Sequence, residues 1–172
     1  IIIMIIVQLT NVAGAYLFGV LVDRVGGKGS LALSLVAMIV VVIGLYFNQT
    51  LTGYFFIGAV AGVAMAGAQS VSRTMVAIFA PPGQSAEFYG FFAVVGRTSS
   101  FIGPLVFGWL AAEATLWYQA QGQELTSAEQ LGHRLAILSI AAFILVGLIL
   151  LTFVNERKAR EAAIPTAGEV ST

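Results

Sequence analysis

Cysteine is absent from this 172-residue sequence and charge is scarce: eight basic and eight acidic side chains, 9% of residues, sum to zero. The missing thiols exclude a disulfide framework, a cysteine nucleophile and a cysteine-ligated metal. The one histidine, His133, has no histidine or cysteine companion, so no metal site is expected and it reads as an interfacial residue beside Arg134. Balanced charge and a pI near 6.8 leave no basic face for nucleic acid. Paired intramembrane carboxylates, a serine served by histidine and aspartate, and a phosphate-binding loop are missing too. We therefore expect no catalytic residues, no enzyme activity and no cofactor.

Hydrocarbon fills the space that charge leaves: 59% of residues are hydrophobic and the mean hydropathy is +0.95, far from the soluble average. The opening IIIMIIVQLT has no charged flank and no small-residue cleavage site, so it reads as the interior of a helix in a longer protein and not as a signal peptide. Five apolar spans, at residues 1–21, 31–47, 51–80, 86–112 and 134–154, are each long enough to cross a bilayer. Turn chemistry separates them at 23–30, 48–50, 81–85 and 118–132. The expected fold class is an all-α membrane protein of about five transmembrane helices, with residues 1–154 in the membrane region and 155–172 a polar tail, disordered beyond Pro165. Arg24, Lys28, Arg157, Lys158 and Arg160 fall on one side and Arg134 on the other. The bias places the first and third loops and the C-terminus in the cytoplasm, the chain lying in the cell (inner) membrane.

Polar residues inside the spans carry the functional signal. Gln8 and Asn11 share a helix face in the first span. In the third, Gly58 and Gly62 form a G-x-x-x-G whose stripe continues through Ala66 and Gln69 towards Ser72 and Arg73, a pattern for close helix packing. Gln69 either bonds across helices or lines a path. In the fourth span Ala86, Gly90, Ala93, Arg97, Ser100, Pro104, Gly108 and Ala111 project within about 60° of one direction. Arg97 sits about 16 Å from the start of that span, near the middle of a core about 30 Å thick. A charge there either pairs with an acid on another helix or faces a cavity. Pro104 frees the carbonyl of Ser100. At the cytoplasmic end Glu87 is placed to pair with Arg73 or to meet its own helix's first amides. Thr126-x-x-Glu129 and Ser127-x-x-Gln130 fit capping boxes, so the last helix is expected to start before the membrane. Trp109, Trp117 and Tyr118 mark the outer aromatic belt. Asn48-Gln-Thr50 matches a glycosylation sequon in a loop too short to be a good acceptor.

The loop GVLVDRVGGK, residues 19–28, resembles the signature loop of the major facilitator superfamily, with Gly19, Asp23, Arg24, Gly26 and Lys28 in place and Gly27 departing from the pattern. Physically, Gly19 allows a helix to approach, Asp23 caps or pairs at a helix end, the glycines permit a tight turn and the basic residues hold the loop inside. Either the loop anchors topology or it gates a conformational change. The stretch from Gln69 to Pro104 is more closely similar to the vacuole-effluxer-like family, the autophagy-linked amino-acid effluxers and their bacterial relatives. The matching residues are Gln69, Ser72-Arg73, Pro82-Gly83, Glu87-Phe88 and Gly103-Pro104. The resemblance implies that these spans are the eighth to twelfth helices of a twelve-helix transporter whose first half is missing.

Two function classes follow. One is part of a secondary transporter moving small organic solutes, amino acids first, by alternating access, its partners being substrate, bilayer and the missing half. The other is a non-transporting membrane subunit or scaffold. In the transporter reading the path holds Arg97, Gln69, Ser100 and Pro104, the gating loop holds Gly19, Asp23, Arg24, Gly26 and Lys28, and Arg73–Glu87 forms an ion pair. No proton-coupling carboxylate is expected, since Asp23, Glu87 and Glu113 all lie near surfaces.

Overall fold

The computed structural model describes residues 1–156 and 159. It contains five helices, α1 (Ile2–Val25), α2 (Gly27–Phe47), α3 (Leu51–Phe79), α4 (Ser85–Ala120) and α5 (Leu125–Phe153), and all five are long and apolar enough to cross a membrane. The all-α membrane fold expected from the hydropathy pattern is therefore present. Large apolar side chains point outwards along every helix, Leu9, Val40, Phe56, Phe101 and Ile149 among them. Water would not tolerate that surface; lipid is its natural solvent. Among the described residues, few groups form a conventional core, and α4 buries only Ala111.

Two breaks are much shorter than their composition suggests. Helix α1 runs through Asp23 and Arg24 to Val25, and α2 starts at Gly27, so the expected turn at 23–30 shrinks to Gly26 at φ +86°. One residue in the left-handed region reverses the chain, and glycine takes it without a Cβ penalty. The second is the polar run at 118–132, where α4 continues to Ala120 and α5 resumes at Leu125. Its Gln, Glu, Leu and Ala residues are good helix formers, and a helix leaving the membrane is free to be polar. Neither capping box caps α5, whose N-cap is Glu124 and carries no side-chain cap bond. The Ser127 hydroxyl donates instead to the Glu124 carbonyl at 2.8 Å. Thr50 does cap α3, its hydroxyl accepting from the Gly53 amide at 3.1 Å. Asn48 folds back on Thr50, donating to its carbonyl at 2.9 Å, so the sequon asparagine is engaged locally.

Backbone approach, made possible by glycine, sets the first seam. A Cβ on Gly14 would lie 2.7 Å from the Val63 backbone, one on Gly62 would lie 2.5 Å from the Val7 carbonyl, and one on Gly67 would meet the Phe18 ring at 2.6 Å. Pairing rises together along both chains, from Ile3 with Gly58 to Phe18 with Gly67, so α1 and α3 are parallel and tightly packed. The G-x-x-x-G is used as its spacing predicts. Helix α2 joins α3 through Ser34, buried, whose hydroxyl donates to the Ala64 carbonyl at 2.7 Å. Helices α4 and α5 form a hairpin in which Gly132 sits against Ala111 and Thr115. The hairpin meets the rest mainly through α5 on α2, and only thinly through α4 on α3. Phe18, Val71, Met75 and Leu151 form an apolar cluster that joins α1, α3 and α5 near Gly26.

Candidate functional site

Helix α4 places the polar residues singled out in the sequence on an open face. Arg97, Ser100 and Pro104 are all exposed. The hydroxyls around Arg97 look after themselves: Thr98 donates to the Val94 carbonyl at 3.0 Å, Ser99 to Val95 at 2.9 Å and Ser100 to Arg97 at 2.6 Å. Such back-bonding satisfies a hydroxyl within its own helix. Among the described residues, the Arg97 guanidinium has no hydrogen bond and no ion pair. Gly90, Gly96, Gly103 and Gly108 would each accept a Cβ with nothing within 4 Å among the described residues, so no close helix approach uses these α4 glycines there. The stripe is not uniform, however. Ala111, at its far end, is buried against α5. Beside Pro104 a groove of about 680 Å³ opens between α4 and α5, lined by Ser99, Gly103, Phe107, Ser139 and Phe143. Gln69 is exposed on α3, and no hydrogen bond joins its side chain to Arg97 or Ser100 among the described residues.

At the Gly26 end the signature-loop residues divide into two groups. Asp23 and Arg24 are exposed and have no partner among the described residues, and Gly19 has open space around it, so no described helix approaches it. Among the described residues Asp23 makes neither a cap nor a pair. Lys28 behaves differently: its ammonium donates to the Thr152 and Val154 carbonyls at 2.7 Å each. The Gly27 and Lys28 amides donate to the Glu156 carboxylate at 3.4 and 3.1 Å. No ion pair joins Arg73 and Glu87 among the described residues: both side chains are exposed, and Tyr89 makes the link, donating from its hydroxyl to the Arg73 carbonyl at 3.1 Å. Two long side chains at a surface lose entropy when held together, and water screens their attraction. A tyrosine hydroxyl on a rigid ring loses less.

Glu156 and Tyr89 were the residues that sequence reasoning missed. Glu156 belongs to a polar tail in which one carboxylate looks like another, and nothing near it in sequence places it opposite the lysine-bearing turn. Arg157, Lys158 and Arg160, which entered the orientation argument, and the tail from 160 to 172 lie outside the described residues. His133 is exposed, with Nδ1 2.8 Å from the Glu129 carbonyl and its ring against Phe107.

Comparison with known proteins places this geometry in context. The family described as vacuole effluxer Atg22 like matches residues 1–164. An uncharacterized MFS-type transporter YxiO of Bacillus subtilis is 25% identical over 94% of this chain and 34% of its own length. Autophagy-related protein 22-2 of Neosartorya fischeri is 29% identical over 92% of this chain and 26% of its own, and autophagy-related protein 22-1 of Aspergillus clavatus is 32% identical over 66% and 16%. The chain thus spans about a third or less of the length of these curated relatives. No solved structure matches it. Five apolar helices, the signature loop and the family match over residues 1–164 agree: the chain belongs to the vacuole effluxer Atg22-like family.

Proposed function

We propose that this chain is the C-terminal part, about helices eight to twelve, of a twelve-helix secondary transporter for small organic solutes, and that Arg97 faces its central path. The observation that carries the reading is the state of α4: a guanidinium without a partner among the described residues, on a helix whose glycines have open space where a side chain would stand. An arginine at mid-membrane costs about 2.5–3.5 kcal/mol on insertion scales, so water or an anion must meet it. A carboxylate-bearing solute suits it, because a guanidinium bonds a carboxylate through two N–H groups in a fixed plane. Amino acids are the first candidates, from the resemblance of the 69–104 stretch to amino-acid effluxers. Gln69, Ser100 and Pro104 contribute to the same path, Pro104 by leaving the Ser100 carbonyl without its helix partner. Asp23 and Arg24 gate exchange from the cytoplasmic surface, with the C-terminus inside and the protein in the cell (inner) membrane. The remaining length of the relatives, about two thirds to three quarters, supplies the opposing wall.

Binding measured on purified full-length protein tests this. Arg97→Lys weakens binding of a carboxylate solute, and Arg97→Ala abolishes it, with expression and helical content unchanged. Retained affinity in well-folded Arg97→Ala protein would overturn the reading. Loss of folding rescued by reversing a carboxylate on another helix would identify a structural ion pair instead.

A further inference from the structure

The first amides of α2 and the last carbonyls of α5 lack partners inside their own helices, as at any helix end. Here each helix supplies the other's cap. The Glu156 carboxylate accepts from the Gly27 and Lys28 amides at 3.4 and 3.1 Å, and the Lys28 ammonium donates to the Thr152 and Val154 carbonyls at 2.7 Å each. Both charges have the sign that the adjoining helix dipole favours, an anion at an N-terminus and a cation at a C-terminus. We infer that Lys28 and Glu156 form a reciprocal cap that clasps α5 to α2, so that the α4–α5 hairpin moves with α1–α3 as one body.

The surroundings are built for it. A Cβ at Gly26 would already touch the Glu156 carboxylate at 3.5 Å, and the backbone there has φ +86°, so a larger residue would disturb both the turn and the clasp. Gly27 is buried, with Met75 Cγ 2.9 Å from where its Cβ would stand, which seats the first turn of α2 against α3. Met75 and Leu151, with Val154 packed against them, belong to the apolar cluster at this same end. Because α4 meets α3 only thinly, the α2–α5 seam is the main connection between hairpin and remainder. The clasp sits at one end of that seam. It also separates Lys28 from Asp23 and Arg24, which remain outward, and it does not depend on the transport reading.

The absence of cysteine makes the test direct. Spin labels on Val25→Cys and Phe153→Cys, both exposed positions, report the distance across the clasp in the full chain in lipid nanodiscs. The unaltered background gives one narrow distance distribution. Lys28→Met loses that single peak while circular dichroism shows helical content retained; Glu156→Gln, which keeps a neutral acceptor, gives a milder broadening. The double exchange Lys28→Glu with Glu156→Lys separates a reciprocal cap from a simple ion pair. An ion pair survives the exchange, whereas here each charge would face the wrong end of a helix, and the peak stays lost. An unchanged distribution in both single variants, or a narrow peak restored by the exchange, overturns the inference.

Discussion

At the residue scale, glycine has two opposite uses here, and they predict opposite mutational outcomes. Gly62 lies against the Val7 carbonyl and the Thr10 hydroxyl, so Gly62→Leu forces α1 away from α3. Overpacking of this kind costs about 1–3 kcal/mol. Thermal unfolding in detergent should show a clear drop. Gly108→Leu, with open space around the position, should leave the same midpoint unchanged or raised, since glycine is about 1 kcal/mol worse than alanine or leucine in a helix interior. If the full-length protein transports as proposed, Gly108→Leu impairs uptake in reconstituted vesicles although the fold is intact. Two serines one turn apart make a similar contrast. Ser34 donates to the Ala64 carbonyl, whereas the Ser30 hydroxyl is buried without a partner among the described residues. Ser34→Ala is expected to destabilise by about 0.5–1.5 kcal/mol and Ser30→Ala to be neutral or stabilising, because only the second removes an unsatisfied polar group. Denaturation of the two variants side by side checks the order.

At the scale of elements, α4 is the part that fits poorly into a five-helix bundle on its own. Its 36 residues extend about 54 Å, well beyond a hydrocarbon core of about 30 Å, so the helix tilts or projects at one end or both. Either way its ends lie on opposite sides of the membrane. Cysteines introduced singly at Gln84 and Gln121, both exposed, should react with an impermeant reagent from opposite faces. Reaction of both from one face would refute the crossing. Pro104 lies inside this helix and removes one ladder bond. Pro104→Ala restores it, and is expected to stabilise the chain modestly while slowing turnover of the full-length protein. A variant with unchanged turnover would show that Pro104 has no part in the transport cycle proposed here.

For the whole molecule, the distribution of free polar groups matters more than any one contact. Arg97 on α4, and Asp23 with Arg24 at the end of α1, all lack partners among the described residues. If the rest of the transporter receives them, Asp23→Asn slows turnover in the full-length protein and leaves substrate affinity within a fewfold. Normal turnover in that variant would reduce the loop to a topology anchor. The 172-residue chain reconstituted alone in vesicles is expected to insert without transporting, because alternating access requires two opposed halves. Measurable solute flux from that preparation would contradict the division of labour proposed here.

The sequence by itself determined the class of solvent, the number of helices and the family. Each of these depends on properties that add up along the chain: mean hydropathy, span length, and residues at fixed spacing such as Gly58 with Gly62 or Asp23 with Gly26. It was less reliable where helices stop. Composition at 23–30 and 118–132 favours turns, yet one glycine suffices at the first, and helix formers carry the second to within a few residues of the reversal. Only tertiary structure decided which equivalent-looking residues have partners. Gly62 and Gly108, Ser34 and Ser30, and Lys28 and Arg24 are pairs of like residues with unlike surroundings. The physical reason is that a hydrogen bond or a close backbone approach is a property of two segments far apart in sequence. Lys28 and Val154 are separated by 126 positions, and nothing local to either announces that the other's helix ends there.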